Sequence, residues 1–348
     1  MRYKLFGNHT GLRVSELVLG TGSFGTGWGH GAAPDEARRI FDAYAEAGGN
    51  FIDTADTYQG GHSEEIVGEL LAGRRDEFVV ATKFSLRSDA KATILSTGNS
   101  RKAMVSSLEQ SLKRMKTDHV DLYWAHISDG VTPVEELLRG FEDLVREGKI
   151  LYAGLSDFPA WRVARAATIA ELRGSLPIAG IQVEYSLVER TTEQELLPAA
   201  HALGLGVVGW SPLGGGMLTG KYRQGEQGRA EAFGGRVFQP ENSQQRSAIL
   251  DTLIAVAAEA GITPGEVAIA WVASKGVLPI VGPRTLEQFQ GNLASTRVRL
   301  APEQLAHLDA ASAIPDVFPY TIINVPDYRQ RYTGGKADQF DFPDRPAA

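Results

Sequence analysis

Cysteine is absent from all 348 residues of this sequence. Without thiols the chain cannot form disulfides, supply a thiolate nucleophile, or hold an iron–sulfur cluster or a cysteine zinc site. Long apolar runs are absent too: none approaches the roughly 20 residues of a membrane helix, and residues 1–4 lead into no signal-like apolar core. We therefore expect a cytoplasmic protein with no membrane partner and no metal.

Dense runs of lysine or arginine are also missing, and the formal net charge is -7, with a pI near 5.6. A protein that binds nucleic acid usually carries a basic patch, so we expect no nucleic-acid partner. The sequence shows no internal repeat, no low-complexity segment and no evident linker. With 43% hydrophobic residues it can bury one large core, and we predict a single domain over residues 1–348.

What the sequence does contain is a regular alternation of short apolar segments and amphipathic ones. After a hairpin at 3–15, strands are predicted at 17–20, 50–52, 78–82, 120–125, 150–155, 178–183, 206–210 and 278–281. The first predicted helix begins at Pro34 and stops at Gly48, and others lie at 63–73, 101–115, 133–147, 160–172, 193–203, 264–274 and 285–294.

Eight β-then-α units, with short strands that are apolar on both faces, favour a closed barrel over an open sheet. We therefore predict an α/β fold, a (β/α)8 TIM barrel over residues 17–312. Two stretches break the alternation: a long loop after the seventh strand, from Pro212 to about Pro240, and a C-terminal tail at 313–348. The loop follows a strand end, so we expect it to be functional rather than a linker.

The segment from Gly20 to Gly25 matches the G-x-G-x-x-G pattern of dinucleotide-binding Rossmann folds. In that fold the third glycine opens a helix. Here a glycine-rich, irregular stretch continues after Gly25, so the sequence argues against a Rossmann fold.

Residues 215–221 match the G-x-x-x-x-G-K pattern of a P-loop. Tyr222 stands where that motif needs a Ser or Thr to hold magnesium, so we exclude a nucleoside triphosphate site. A glycine-rich loop with a lysine can still hold a pyrophosphate through its backbone N–H groups.

Polar side chains follow the predicted strands at their C-terminal ends. They are Asp53, Lys83, His126, Ser156, Gln182, Trp210 and Ser211. Barrel active sites lie on that face, and Tyr58 stands in a loop just after Asp53, so we expect an acid–base site there. Each residue alone has a structural explanation: a carboxylate that caps its own loop, a packed tyrosine, a surface lysine or a core histidine. Ser63 is predicted to cap the next helix.

Six stretches together resemble the aldo-keto reductase superfamily over about residues 3–312. They are 49–64, 81–83, 121–126, 154–157, 180–186 and 210–213. Residues 60–64 and the long loop after Trp210 are similar to the bacterial aryl-alcohol-dehydrogenase-like branch and to the related potassium-channel β subunits. The resemblance implies a (β/α)8 barrel whose bottom is closed by an N-terminal hairpin.

The resemblance implies that Tyr58 is the general acid, that Asp53 and Lys83 support it, and that His126 orients the substrate carbonyl. A free phenol has a pKa of about 10, which suits proton donation near neutral pH poorly. An ammonium beside the phenol favours the phenolate and lowers that pKa, while Asp53 keeps the lysine charged. No side chain donates a hydride, so a nicotinamide cofactor is implied.

The resemblance also assigns residues to NADPH, with NADH as a weaker alternative. Ser156, Asp157 and Gln182 would bind the carboxamide, Tyr185 would stack on the nicotinamide, and Thr21 and Gly22 would border its ribose. The other assigned residues are Trp210, then Ser211, Pro212, Leu213, Gly214, Gly216 and Lys221 for the pyrophosphate, and Gly282, Arg284, Gln288 and Asn292 for the adenosine end. Arg284 and the backbone N–H groups near Thr285 can hold a 2′-phosphate, which favours NADPH.

Two departures from the family pattern leave the pocket shape and the phosphate contacts open. Ile127 and Ser128 stand where many relatives have Trp-Pro, and Pro283 replaces a smaller residue. The expected partner is a small-molecule carbonyl or alcohol. Trp28, Phe84, Trp124 and the tail aromatics suggest an apolar pocket, which could be aromatic. The sequence does not predict an oligomeric state.

Two other classes of function compete with an oxidoreductase. One is a regulatory subunit of the channel-β type, which keeps the barrel and the cofactor but works by binding a partner. His126 weighs against it, because the channel β subunits carry an Asn at that position. The other is a barrel hydrolase that uses two carboxylates, but only Asp53 qualifies among the strand ends.

Overall fold

The computed structural model describes residues 1–87, 92–224 and 238–342. A hairpin of Tyr3–Leu5 (β1) and Arg13–Ser15 (β2) precedes eight parallel strands. These are Val18–Gly20 (β3), Phe51–Asp53 (β4), Val79–Phe84 (β5), Val120–Ala125 (β6), Ile150–Ser156 (β7), Ile178–Glu184 (β8), Gly206–Trp210 (β9) and Leu278–Val281 (β10). They close a barrel in the order β10-β3-β4-β5-β6-β7-β8-β9. The predicted (β/α)8 TIM barrel is confirmed, while the single domain over 1–348 stays a prediction.

Helices connect the strands and cover the outside of the barrel. They are Pro34–Glu46 (α1), His62–Leu70 (α2), Arg101–Met115 (α3), Val134–Arg146 (α4), Ala160–Arg173 (α5), Leu196–Ala202 (α6), Gln244–Ala260 (α7) and Pro264–Ser274 (α8). After the last strand come Leu286–Ala294 (α9), Pro302–Ala311 (α10), Tyr320–Ile323 (α11) and Pro326–Tyr332 (α12). The sequence analysis gave no bounds for α7 and α10. For α7 the signals were present, since Ser243 caps it and Gly261 ends it with φ 66.

The N-terminal hairpin closes the bottom of the barrel with one aromatic ring. Phe6 lies edge-on against Phe51 and Trp124, with ring centroids 5.7 and 6.2 Å away. A Cβ atom added at Gly180 or Gly206 would lie 2.6 or 2.7 Å from that ring. The two glycines therefore leave the space that Phe6 fills, and the predicted position of the hairpin is confirmed.

Side chains alternate between the barrel interior and the helix layer along each strand. Phe51, Val79 and Ala81 belong to the apolar cluster inside the barrel. Asp53 and Lys83 continue the same inward rows by two residues at the C-terminal ends of β4 and β5. The alternation therefore directs both polar side chains into the mouth of the barrel.

The tail, described from 313 to 342, lies along outer helices. Gln194 Nε2 donates a hydrogen bond to the carbonyl of Pro315, and Tyr320 donates one to Glu195, at 3.1 and 3.2 Å. Several of its aromatic rings face solvent, with Phe318 78% exposed. Tail aromatics were expected to shape the pocket, but Phe318, Tyr328, Tyr332 and Phe340 lie on the outside. The last residues of the tail, 343–348, and residues 225–237 of the predicted long loop lie outside the described residues.

Within the described ranges, no single helix has the length and apolar character needed to cross a membrane. Gln244–Ala260 and Pro264–Ser274 meet the criterion only as a pair, and they are bent by 99° at the break between them.

Candidate active site

Lys83 connects Asp53 and Tyr58 at the mouth of the barrel. Its fully buried ammonium donates hydrogen bonds to the Asp53 carboxylate, to the backbone carbonyl of Thr54 at 2.8 Å, and to the Tyr58 hydroxyl at 3.2 Å. Three partners use all three N–H donors of an ammonium. The structure thus brings together the three residues that the resemblance assigns as an acid and its supporting pair.

The charge of Lys83 survives burial because of these partners. Burial alone would lower the pKa of Lys83, but the Asp53 carboxylate and the Tyr58 hydroxyl outweigh it, and the pKa is raised above its ordinary value. Lys83 is therefore a cation at neutral pH. A buried cation beside a phenol oxygen stabilises negative charge on that oxygen, which makes the phenol a better proton donor.

His126 lies next to Tyr58, with ring centroids 5.9 Å apart and the planes nearly perpendicular at 83°. Burial, and then the nearby Lys83 cation, lower the pKa of His126 to about 3. The imidazole is therefore neutral at neutral pH. Its buried Nδ1 has no hydrogen-bond partner among the described residues. A neutral imidazole has one N–H to donate, which suits a contact with a carbonyl oxygen.

Ser156 and Gln182 stand opposite each other at the ends of β7 and β8, where they are register partners. The Gln182 amide donates to Asp53 Oδ1 at 2.9 Å, so it also helps to fix the carboxylate. Ser156 is 1% exposed, and its hydroxyl has no hydrogen-bond partner in the described part of the chain. A buried hydroxyl is rarely left unpaired, so Ser156 fits the polar group of a bound molecule such as a carboxamide.

Asp157 and Trp210 form a pair beside these residues. The indole Nε1 of Trp210 donates to Asp157 Oδ1 at 3.1 Å. Burial raises the pKa of Asp157 to about 6, although the Trp210 hydrogen bond opposes the shift. The Trp210 ring is partly exposed and lies 5.7 Å from the ring of Phe238. Trp210 therefore offers an aromatic surface at the mouth.

Tyr185 does not join the site, and the prediction that it stacks on a nicotinamide is wrong. Its buried ring stacks on Trp271, with centroids 5.3 Å apart and planes at 27°, and its hydroxyl donates to Glu193. The cause is the alternation of the strand: Gln182 faces the barrel interior, whereas Val183 and Tyr185 face the helix layer.

Two aromatic residues expected in the pocket are also elsewhere. Phe84 stacks on Tyr123 at 5.0 Å between strands and helices, and Trp124 packs on Phe6 inside the barrel. Of the three predicted rings, only Trp28 stands at the site, with its ring centroid 6.2 Å from that of Tyr58.

The predicted cap at Ser63 is wrong as well. Gly61, with φ 101, is the N-cap of α2, and Ser63 lies one residue inside the helix. The buried Ser63 hydroxyl donates to the backbone carbonyl of Thr21 at 2.8 Å. It therefore ties α2 to the loop after β3 instead of capping its own helix.

Thr21 and Gly22, which the resemblance assigns to the nicotinamide ribose, lie beside Asp53 and Tyr58. The Thr21 backbone N–H and its hydroxyl both donate to the backbone carbonyl of Asp53, at 2.9 and 3.2 Å. A Cβ added at Gly22 would lie 3.6 Å from the Tyr58 ring. This loop therefore lies against the Tyr58 ring.

The glycine-rich turn after β9 has the features of an anion site. Gly214, Gly215 and Gly216 all have positive φ, at 55, 66 and 95. A Cβ at Gly216 would lie 3.2 Å from Lys221 Nζ. The N–H groups of Gly214 and Gly216 donate to the carbonyls of Ser211 and Leu213, so the ammonium and the open glycine backbone are what suit a phosphate group here. The predicted pyrophosphate residues are therefore together in the fold.

Three of the four residues predicted for the adenosine end, Gly282, Arg284 and Gln288, lie around the N-terminus of α9, and the fourth, Asn292, lies near its C-terminal end. Thr285 caps this helix and accepts a hydrogen bond from the Gln288 backbone at 3.2 Å. Gln288 Oε1 in turn accepts from the backbone N–H of Arg284 at 2.9 Å. Asn292 lies one turn after Gln288 on the same helix face, and Gly282 directly follows β10. A helix N-terminus with an arginine fits an anionic group.

Sequence comparison identifies proteins of the same organisation. The model of the Aldo/keto reductase family matches residues 16–313. The oxidoreductase YrpG of Bacillus subtilis is 39% identical over 334 residues, which cover 92% of this chain and 96% of YrpG. An NADP(+) aryl-alcohol dehydrogenase of Phanerodontia chrysosporium is 33% identical over 342 residues, covering 92% of this chain and 88% of that enzyme. A norsolorinic acid reductase of Aspergillus flavus is 34% identical over 332 residues, covering 92% and 84%. With a barrel whose strand ends carry Asp53, Lys83 and His126 around Tyr58, the chain belongs to the aldo/keto reductase family of oxidoreductases.

Proposed function

We propose that this protein reduces aldehyde or ketone carbonyls to alcohols with NADPH, and catalyses the reverse oxidation, with Tyr58 as the general acid. The observation that carries the proposal is the 3.2 Å hydrogen bond from the buried Lys83 ammonium to the Tyr58 hydroxyl. A phenol beside a buried cation releases its proton more readily than a free phenol. In the reverse direction the same oxygen accepts the proton of the alcohol.

Each residue of the site would have a separate role in the reaction at the substrate oxygen. A nicotinamide bound at the mouth would supply the hydride, which no side chain can donate. Tyr58 would give its proton to the carbonyl oxygen, and Lys83 would stabilise the phenolate that remains. The neutral His126 would donate its N–H to the same oxygen and hold the carbonyl in place. Asp53, held by Lys83 and Gln182, would keep the lysine in position.

Three features support NADPH as the cofactor. The unpaired Ser156 hydroxyl fits a carboxamide, and the glycine turn beside Lys221 fits a pyrophosphate. Arg284 at the start of α9 fits the 2′-phosphate that NADPH has and NADH lacks. The relative from Phanerodontia chrysosporium is by name an NADP(+) enzyme, which agrees with this choice.

We further propose aryl aldehydes and aryl alcohols as the substrate class. Trp28 stands edge-on to Tyr58, and the partly exposed Trp210 faces the mouth from β9. Aromatic side chains pack well against flat aromatic ligands. Two relatives also bear the name aryl-alcohol dehydrogenase.

The test is a panel of benzaldehydes, aliphatic aldehydes and ketones with NADPH or NADH, followed by the loss of reduced-nicotinamide absorbance. We expect turnover with NADPH, highest for the aryl aldehydes. Tyr58→Phe should lower kcat by about 10²-fold or more, with NADPH binding retained, because it removes the proton donor alone. A parent protein that binds NADPH but reduces no carbonyl would favour the regulatory-subunit alternative. A Tyr58→Phe variant within a few-fold of the parent would exclude Tyr58 as the acid.

A further inference from the structure

Gln59, directly after Tyr58, combines a strained backbone with a buried side chain. Its φ is 52, in the left-handed region that favours glycine. For a residue with a Cβ this conformation costs about 1–2 kcal/mol. Its amide is 2% exposed. Strain of this kind next to a catalytic group persists only where the surrounding contacts require it.

Three hydrogen bonds account for the conformation, and all three join Gln59 to one loop. The amide Nε2 donates to the backbone carbonyls of Gly22 and His30, at 3.0 and 3.3 Å. Oε1 accepts from the backbone N–H of Trp28 at 2.9 Å. The bonds reach Gly22, Trp28 and His30, so one side chain joins three positions of the loop at 22–30.

The loop is also packed on the Gln59 backbone. A Cβ added at Gly27 would lie 2.8 Å from the Gln59 carbonyl oxygen. A Cβ at Gly25 would lie 3.3 Å from Cγ of the Gln59 side chain. Glycine at both positions lets the loop approach Gln59 closely enough to form its hydrogen bonds.

This loop forms two walls around the Tyr58 ring. Trp28 presents its ring to Tyr58 at 6.2 Å and 80°. Gly22 lies on the same ring, where a Cβ would be 3.6 Å away. The position of Trp28 beside the proton donor therefore depends on the Gln59 hydrogen bonds.

We propose that Gln59 is a positioning residue that fixes the loop at 22–30 and so holds Trp28 as the wall that selects aromatic substrates. The selectivity rests on the proposed function, but the fastening of the loop does not. Gln59 acts through Trp28. Its removal should therefore affect the binding of aromatic substrates more than proton transfer by Tyr58.

Two variants and one control separate the effect of the Gln59 hydrogen bonds to the loop from the effect of its backbone strain. Gln59→Gly removes the amide while it relieves the backbone, so it is expected to fold. Gln59→Glu keeps the size but places carboxylate oxygens against two carbonyls. Lys116→Gly is the control, because Lys116 also has a left-handed backbone, with φ 54, at the exposed end of α3, where its side chain pairs with Glu69 at 3.8 Å. In the control, glycine relieves the same left-handed strain without the loss of a hydrogen bond to the loop.

Amide hydrogen exchange measured by mass spectrometry tests the fastening without substrate. Exchange in peptides that cover 22–32 should rise about tenfold or more in both Gln59 variants, as expected for the loss of about 1.4 kcal/mol or more of local stability. Peptides from β6 should keep their protection, and Lys116→Gly should leave the loop unchanged. Unchanged exchange at 22–32 in Gln59→Gly would overturn the proposal, whether or not the protein reduces carbonyls.

Kinetics with benzaldehyde and propanal test the selectivity. Gln59→Gly should raise KM for benzaldehyde about 5- to 30-fold, with a smaller change in kcat and little change in KM for propanal. In a Trp28→Ala background the same substitution should add little, because both changes remove one contact. Equal losses for the two aldehydes, or additive losses in the double variant, would overturn the selectivity role. A parent with no turnover would contradict the proposed function alone, since the exchange experiment reads the fastening independently.

Discussion

The ammonium of Lys83 donates one hydrogen bond to the hydroxyl of Tyr58 and another to the carboxylate of Asp53. One buried cation thus serves a proton donor and a carboxylate that both lie in the mouth of the barrel. Removal of the cation should have two consequences. It should raise the pKa of Tyr58, and it should lower the stability of the fold because Asp53 loses its partner. The two can be measured separately.

Lys83→Met should shift the pH profile of carbonyl reduction. Without the cation the phenolate of Tyr58 is disfavoured, so its pKa rises, and each unit corresponds to about 1.4 kcal/mol. The limb of the profile that reports Tyr58 should move to higher pH, with a large loss of rate at neutral pH. The measurement is kcat/KM across the pH range in which the protein stays folded.

The same substitution should destabilise the fold, because Asp53 becomes a buried carboxylate without its cation. Breaking a buried pair in this way costs about 3–5 kcal/mol. A thermal unfolding scan beside the pH profile separates the two effects. Lys275→Met is the control, since Lys275 pairs with Asp309 at 2.7 Å away from the mouth and should change stability alone. A folded Lys83→Met variant with an unshifted limb would make Lys83 a structural ion pair and leave the acid role to be sought around His126.

The strand pattern explains how much of this site the sequence could predict. Asp53, Lys83 and His126 follow strands at positions that continue an inward row, so their convergence follows from the period of two. The same period, counted from Gln182, places Tyr185 outside the barrel. The prediction for Tyr185 failed because the resemblance was followed where the local alternation pointed the other way.

Gln59 and the partners of Glu64 show what no sequence pattern could reveal. The hydrogen bonds of Gln59 reach residues 29 to 37 positions away. Its left-handed backbone could not be predicted either, because a glutamine in the sequence does not indicate that conformation. In the sequence, Glu64 is an acid near the start of the helix predicted at 63–73. It is fully buried and accepts a hydrogen bond from Arg114, which lies 50 positions along the chain. Such pairs depend on how two helices meet, which local propensity does not encode.

Arg284→Ala should discriminate between the two nicotinamide cofactors. The loss of a charge-assisted contact to the 2′-phosphate should weaken NADPH binding by about 1.5–3 kcal/mol and leave NADH nearly unchanged. Titration calorimetry or fluorescence with both cofactors gives the two affinities. Arg297→Ala, an exposed arginine beyond the end of α9, is the control and should change neither. Equal weakening of both cofactors would show that Arg284 supports the turn before α9 and does not contact the phosphate.

Asp157→Asn should remove a pH dependence from the stability of the fold. Burial raises the pKa of Asp157 to about 6, so the folded protein binds a proton more tightly than the unfolded chain does. A raised carboxyl pKa contributes stability that is present at pH below about 4 and is lost as pH rises through about 6. The asparagine keeps an oxygen for Trp210 without this loss. Relative to the parent, the variant should gain up to about 3 kcal/mol in unfolding free energy between pH 4 and pH 7. Denaturant titrations at several pH values measure it, and a constant difference between the two proteins would show that folding does not raise the pKa of Asp157.

Arg114→Met should destabilise the protein strongly, because it leaves buried carboxyl groups without their cation. Arg114 Nε donates to the fully buried Glu64 at 2.6 Å, and Glu64 also accepts from the Thr82 hydroxyl at 2.5 Å. Burial, and then the Glu64 carboxylate, raise the pKa of the neighbouring Asp56 well above its ordinary range. Without the guanidinium, no other cation in the described part of the chain forms an ion pair with Glu64, and we expect a loss of about 3–5 kcal/mol. Arg39→Met is the matched control, since its pair with Glu36 is exposed and contributes about 1 kcal/mol or less.

The double variant Arg114→Met with Glu64→Gln tests the cause of that loss. A neutral amide costs less to bury than a carboxylate, so Glu64→Gln should cost stability in the parent but restore part of it in the Arg114→Met background. Glu64→Gln should therefore lower the free energy of unfolding in one background and raise it in the other. Such a change of sign indicates a buried charge pair. Denaturant unfolding of the four proteins at neutral pH gives the coupling free energy. Additive losses would mean that Arg114 stabilises the junction of α2 and α3 through its packing, and the charge of Glu64 would have to be balanced by another group.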